Sequence, residues 1–457
     1  MYRQARVPDA LSGAAGALPR VLAILAFAMV ASFMVLIMSG RVTALVALIL
    51  IPIAFGIAAA AMGLAPADKL GAMMLSGVKE LAPTGVMLAF AILYFGLMVD
   101  AGLFDPLVRL IVRLVGGDPA KITTGSAVLA LLVSMDGDGS TTYIICCSAM
   151  VPLYRRAGLD MRILACLLML ACGVTNITPW GGPTARAASA LHLDAADIFV
   201  PLIPAMLAGA AAVVLLAYVL GRRERARLGV LSADLSAGLP DDTVSFNDET
   251  QRPGRLPFNL ALTAVLLASL VMGLLPLPVL FMIATALALM VNYPSVAMQK
   301  ARIAAHAPNI LAVISVIFAA GVFTGILNGA GMTDAMAQSV VQLIPDALGP
   351  HMAPIAAVLS MPFTFFVSND AYFFGILPIL AEAGARFGVE PVEMARASLT
   401  SQAVHLLSPL VPSTYLLVGL VGVDLGQHQR FTLPWAVVLS LVLLAAGLAI
   451  GVIPLAG

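Results

Sequence analysis

Three carboxylates and one arginine stand in stretches of this chain that are otherwise apolar. Asp136 and Asp138 lie in SMDGDGSTT between two hydrophobic runs, Asp370 lies in FVSNDAYFFG, and Arg186 follows the interrupted segment TNITPWGGPT. A charged group surrounded by apolar chain is costly unless it is paired, solvated or protonated, so such residues mark a functional site by default. Two chemistries suit the aspartates. They are hard oxygen ligands for a divalent cation, or they are carboxyls that burial makes able to carry protons. The opening DGDGS also has the look of a calcium-binding loop, but its glycine is displaced and Cys147 stands where a bidentate Glu belongs.

Small polar residues accompany these charges. Ser140, Thr141 and Thr142 follow the first aspartate pair, and Ser368 and Asn369 precede Asp370. The two stretches thus match in kind, small hydroxyls beside a carboxylate, with an amide added in the second. Around Arg186, Pro179 and Pro183 lack backbone donors and, with the glycines, unwind the chain. Asn176 and Thr178, with Thr175 before them, lie in that unwound stretch. Helix restarts around Thr184, where free N–H groups favour an anion, and the Arg186 guanidinium offers a planar fork for a carboxylate. A second stretch of the same kind, SPLVPST, supplies Ser408, Ser413 and Thr414 without a charge. Plainer readings exist. Asp and Gly also make ordinary turns, and Arg186 is also placed to pair with Asp194 or a carbonyl as a structural cation. Asp100, Asp105, Gln402, His405 and Trp180 are weaker candidates. A lone histidine in such a helix is more often a packing residue, and Trp180 suits the gap left by an unwound turn.

The elements that position these residues are membrane helices. Of the 457 residues 61% are hydrophobic and 11% charged, against about 25% charged in a soluble protein. Apolar runs of about twenty residues recur throughout, the mark of an all-α polytopic membrane protein. Zero net charge gives no sign of nucleic acid as a partner. Cys146, Cys147, Cys166 and Cys172 lie in apolar runs without metal spacing, so a disulfide framework is not expected. Spans are expected near 21–39, 42–63 and 83–107, a paired segment at 122–134 and 140–154, a broken span over 162–192 and a full span at 198–220. The second half repeats this, with spans near 257–275, 277–292 and 308–330, a pair at 352–366 and 370–385, a broken span over 396–422 and a last span at 433–454.

The halves also match residue by residue. Gly102 and Asp105 answer Gly331 and Asp334, Pro152 and Gly158 answer Pro378 and Gly384, TPWGGPT answers SPLVPST, and Asp194 answers Asp424. If each pair is a re-entrant hairpin, each half makes about five crossings and the halves are inverted repeats. The first occupies 21–221 and the second 257–455, with a central loop at 222–256. Placing that loop in the cytoplasm collects most of the 24 Lys and Arg on its side, as the positive-inside rule requires. Both termini then lie outside. Interrupted hydrophobic segments at corresponding positions of two repeats point to the binding site of a secondary transporter.

At FAILYFGLMVDAGLFDPLVRL, DGDGSTTYII, PWGGPTARAASAL, VNYPSVAMQKARIAAHAPN, NDAYFFGILPIL and SPLVPSTYLLVGLVGVDLGQHQRF, the chain resembles the citrate–divalent metal:proton symporter family of the ion transporter superfamily. The resemblance covers both halves. It implies import of citrate as a complex with a divalent cation of the magnesium or calcium type, in symport with protons. It also implies a homodimer in the bacterial inner membrane, with no permanently bound cofactor and no enzymatic activity. On that reading Arg186 and the polar tips contact citrate, while Asp136, Asp138 and Asp370 face the metal or carry protons. Two rivals stand beside it: a sodium-coupled di- or tricarboxylate carrier without metal, and a membrane-embedded enzyme or cation channel. No nucleophile–base pair supports an enzyme, and the arginine argues against a cation channel.

Overall fold

The computed structural model describes residues 9–39, 41–115, 117–137, 139–229, 250–342, 344–345 and 347–457. Asp138 and most of the central loop lie outside them, and Asp136 is described in its backbone alone. Among the described residues the protein is all helical, without a strand. The first half runs α1 (Asp9–Met38), α2 (Ala44–Ala61), α3 (Leu70–Asp100), α4 (Asp105–Val115), α5 (Pro119–Val133), α6 (Gly139–Ala157), α7 (Met161–Thr175), α8 (Gly182–Leu191), α9 (Ala195–Phe199) and α10 (Ile203–Leu228). The second runs α11 (Leu256–Val271), α12 (Leu277–Asn292), α13 (Val296–Gly329), α14 (Met332–Val341), α15 (Met352–Phe366), α16 (Leu377–Ala385), α17 (Pro391–Leu399), α18 (Gln402–His405), α19 (Pro412–Val421) and α20 (Leu425–Ala449). Six helices among the described residues are long and apolar enough to cross a membrane, and the protein is a multi-pass membrane protein.

One order of elements recurs. A long helix (α3, α13) is followed by a short one (α4, α14), a helical hairpin (α5–α6, α15–α16), a broken helix (α7–α8, α17–α19) and a long closing helix (α10, α20). The local chemistry recurs with it. Gly102 at φ 82° turns α3 into α4, and Gly331 at φ 69° turns α13 into α14, a left-handed conformation that glycine adopts without a Cβ penalty. Downstream, α8 ends on left-handed His192 and α19 on left-handed Gly422. Two residues on, Asp194 and Asp424 cap the next helices through their carboxylates. The expected match of Gly158 with Gly384 does not carry over. Gly158 is left-handed, but Gly384 lies inside α16 and Gly388 makes the corresponding turn.

The expected spans differ most at prolines. Spans set to start near Pro83, Pro308 and Leu433 begin instead at Leu70, Val296 and Leu425, with Pro83, Pro308 and Pro434 inside the helices. A membrane helix tolerates an interior proline where its neighbours satisfy the released carbonyl. The short α4 and α14, which follow the expected spans at 83–107 and 308–330 and were not expected as elements, are separate helices because the glycine turns redirect the chain.

The two long helices touch backbone to backbone. A β-carbon on Gly77 of α3 would stand 2.0 Å from the carbonyl oxygen of Gly321 in α13, and one on Gly325 would stand 2.3 Å from that of Met73. Gly321, Gly325 and Gly329 recur every four residues along one face of α13, the small-residue stripe by which membrane helices pack closely. That stripe was there to be read in GVFTGILNG.

At the end where the central loop leaves, the α6–α7 turn is tied to α10. The Asp160 N–H donates to Glu224 Oε2 at 3.1 Å, and Arg227 bonds both Glu224 and the Gly158 carbonyl. Asp160 caps α7 and pairs with Arg162 at 2.6 Å. Burial alone would raise the Asp160 carboxyl, but hydrogen bonds from the Arg162 side chain and N–H, with the charges of Arg162 and Arg227, hold it below the usual carboxylate range. A carboxyl lowered on folding adds stability above its ordinary value, and that stability is lost as pH falls through the lowered one. The melting temperature of the wild-type protein therefore falls more steeply below about pH 4 than that of Asp160→Asn. Asn keeps a good cap, whereas Asp160→Ala loses about 1 kcal/mol more. Parallel melting curves for wild type and Asp160→Asn across that range contradict this.

Candidate functional site: a cavity where two tips and two breaks meet

The two hairpin tips and the two helix breaks converge on one cavity of about 190 Å³. Ser134, Gly137 and Gly139 come from the first tip, and Asn176, Gly182 and Arg186 from the first break. Asn369 comes from the second tip, and His405 and Ser413 from the second break.

Glycine shapes the first break. A β-carbon on Gly181 would stand 2.2 Å from the Asn176 carbonyl oxygen, so only glycine lets the chain turn back from the end of α7. The Thr184 hydroxyl then donates across the break to the Ile177 carbonyl at 2.9 Å, and Thr414 donates to the Leu406 carbonyl at 2.5 Å at the symmetric place. Both threonines are buried. In this state their hydroxyls satisfy unwound backbone and stand behind the cavity wall.

Each tip is fastened to the break of its own half. Residues Ser134–Asp136 form a single tight turn followed by Gly137 at φ 80°. Thr175 donates to the Ser134 hydroxyl oxygen at 2.8 Å, and the Trp180 ring N–H donates to the Met135 carbonyl at 2.9 Å. Trp180 does more than fill a gap. Its ring packs at a tilt against Phe95 of α3 at 5.1 Å and meets Phe281 of α12 edge-on at 5.3 Å, joining the site to those helices. In the second half, His405 Nδ1–H donates to the Thr364 carbonyl at 2.8 Å and the Tyr372 hydroxyl to Ser398 at 3.0 Å. Ser368 accepts from the Ala371 N–H at 3.2 Å. Six residues of π-helix, Ala371–Ile376, follow, a distortion often found at functional sites.

At the cavity, an ion pair joins the two halves. Arg186 Nε donates to Asp370 Oδ1 at 2.6 Å, with the two side chains 23% and 18% exposed. The guanidinium lies over the start of α8, where a β-carbon on Gly182 would stand 2.8 Å from Nη1. Asp194, the other partner considered for Arg186, is instead a helix cap.

The remaining candidates divide. Ser140 and Thr141 are half-buried in the first turn of α6, while Thr142, Thr178 and Ser408 are buried. The Thr178 hydroxyl, Asn369 Oδ1 and both amide atoms of Gln402 are buried without a hydrogen-bond partner among the described residues. The Ser408 hydroxyl accepts from the Leu410 N–H at 3.2 Å. Asp100 and Asp105 do not line the cavity. Asp100 pairs with His306 at 2.8 Å and Arg302 at 3.4 Å, and Asp105 accepts from Gln251 at 2.9 Å. Sequence reasoning missed Ser134, Gly137 and Gly182 as cavity wall. The glycines on either side of Asp138 and the Gly181–Gly182 doublet were the available signals.

Comparison with known proteins agrees with this architecture. The pattern that defines the citrate transporter family CitMHS matches residues 70–401. A citrate transporter of Bacillus subtilis (strain 168) is 56% identical over 433 residues, covering 95% of this chain and all of that protein. The Mg(2+)/citrate complex secondary transporter of the same organism is 51% identical, covering 95% of this chain and 99% of its own. The crystal structure of the Alcanivorax borkumensis YdaH transporter superposes with a TM-score of 0.62 at 18% identity, over 85% of this chain and 90% of that one, a likeness of fold. Two relatives matched over nearly their full length and a family pattern spanning both hairpins leave one assignment: this protein is a membrane transporter that belongs to the citrate transporter family.

Proposed function

We propose that this protein is a secondary active transporter that imports citrate as a complex with a divalent metal ion, in symport with protons, by alternating access between two inverted repeats. The observation that carries this reading is the Arg186–Asp370 pair at the cavity shared by both halves. Citrate bound to one divalent ion keeps a net charge near minus one. Its uncoordinated oxygens suit a guanidinium beside the N–H groups of a helix start, and its metal suits amide, hydroxyl and carboxylate oxygens. The names of the two relatives support the substrate class.

Proton coupling follows from competition at Arg186. In the structure Asp370 holds the guanidinium. A substrate carboxylate that takes its place leaves Asp370 without a counter-charge in a half-buried position, and a proton on Asp370 removes that cost. Substrate and proton therefore favour one another's binding, as reciprocal linkage demands. Asp136 and Asp138 are proposed as metal-facing or proton-carrying groups on the opposite tip.

The test is labelled citrate uptake into proteoliposomes under an inward proton gradient, with a divalent ion present or chelated. Uptake that requires both the ion and the gradient, and not sodium, is the expected result. Uptake that survives chelation and follows sodium identifies a sodium-coupled carboxylate carrier and overturns the proposal.

A further inference from the structure

His405 ends α18 and faces the cavity with one ring nitrogen spoken for. Its Nδ1–H donates to the Thr364 carbonyl at 2.8 Å, and the residue is 6% exposed. A carbonyl only accepts, so this bond places the proton on Nδ1 and leaves a lone pair on Nε2. No described residue donates a hydrogen bond to Nε2. In the same cavity wall, Asn369 Oδ1 is buried without a partner among the described residues. Two acceptors thus stand without donors in a site that also holds the Arg186 guanidinium. Neither attracts a carboxylate, and both attract a cation. A ring held in one tautomer by a backbone carbonyl, with its other nitrogen open, is also how proteins prepare a histidine for a metal.

We propose that His405 sets the metal preference of the carrier, its Nε2 contacting the divalent ion of the citrate complex with Asn369 Oδ1 as a neighbouring oxygen ligand. This rests on the reading that a metal complex is the substrate. Imidazole favours borderline ions such as Zn²⁺, Ni²⁺ and Co²⁺, while all-oxygen sites favour Mg²⁺ and Ca²⁺. The histidine therefore raises transport of the borderline complexes relative to the hard ones. A histidine present only for packing would hold Thr364 and discriminate nothing.

Two variants separate these roles. His405→Asn places an amide N–H near the position of Nδ1 and keeps the bond to Thr364, but withdraws the nitrogen from the cavity. His405→Gln places an amide oxygen near the position of Nε2 and gives up the Thr364 bond. Initial uptake of labelled citrate is measured with Ni²⁺ and with Ca²⁺ in wild type and both variants. A fall of about tenfold in the Ni²⁺-to-Ca²⁺ ratio in both variants is expected, equivalent to losing one ligand worth about 1.4 kcal/mol. An unchanged ratio, or equal loss of both fluxes, overturns the assignment. A second readout needs neither transport nor a variant. Electron spin-echo modulation of the Cu²⁺–citrate complex bound to the purified full-length protein should show the remote nitrogen of an imidazole, and its absence also overturns the assignment. If wild-type uptake needs no divalent ion, the metal-complex reading fails instead, which the ratio measurement reveals before any variant is compared.

Discussion

Arg186→Lys transports citrate at less than a tenth of the wild-type rate although the charge is kept, and Asp370→Asn transports with a flattened dependence on pH. Lysine is a point charge on a flexible stem, and it cannot present a planar fork from the start of α8. The geometry it replaces is specific: Nε directed at Asp370 at 2.6 Å, and Nη1 folded over Gly182. Arg186→Ala costs stability as well, by about 3 kcal/mol, because it strands a partly buried carboxylate. The double variant Arg186→Ala with Asp370→Ala recovers most of that loss without recovering transport. Asp370→Asn keeps an acceptor for Nε but removes both the competitor for the guanidinium and the group proposed to take the proton. Apparent citrate affinity is thus expected to rise severalfold while uptake loses its acid stimulation. Uptake in proteoliposomes from pH 5.5 to 8.5, beside thermal unfolding, reads the outcomes for all four variants. Wild-type pH dependence in Asp370→Asn would remove Asp370 from the proton step.

The second large effect concerns folding. Gly325→Leu yields no folded protein, and Gly321→Ala folds with a melting temperature several degrees lower. A β-carbon at 325 meets the Met73 carbonyl oxygen at 2.3 Å, and one at 321 meets Gly77 and Val78 backbone atoms at 2.9 Å. These contacts are backbone on both sides, so no rotamer relieves them, and α3 and α13 must separate. Overpacking a well-filled interface costs about 1–3 kcal/mol when side chains give way. Here a leucine must displace a whole helix from the longest pairing in the fold. Gly419→Ala in α19 is the control, since its β-carbon meets nothing within 4 Å; it should be neutral or slightly stabilising. Size-exclusion profiles of detergent-extracted protein decide the first claim and melting curves the second. A monodisperse Gly325→Leu peak would show that α3 and α13 separate more easily than their contacts imply.

The hairpins and breaks were legible because glycine, proline and polar residues interrupt apolar runs there, and nothing else in a membrane core explains such interruptions. The start of α3 was not legible, because a proline reads as a helix start until neighbouring helices are known to satisfy the carbonyl it releases. Arg186 and Asp370 were each singled out, yet their pairing was not. Spacing along one segment put Asp194 within reach, whereas the true partner lies 184 residues away in the other half. Thr184 and Thr414 show a different limit. Their types suit a ligand, and in this state they satisfy the backbone that the breaks unwind. Sequence lists donors and acceptors, but the bonds already made among them emerge only when the chain is folded.

The ion pair has a consequence for the unloaded carrier. A transporter must return through the membrane field after releasing its cargo. An arginine left alone would carry one elementary charge on that return, at about 2.3 kcal/mol per 100 mV. On the proposed cycle, an Arg186 that pairs with Asp370 once the cargo has left crosses as half of a neutral dipole. On that cycle the pair itself gives the resting potential no charge to act on, and voltage acts instead through the cargo and the other charged groups of the site.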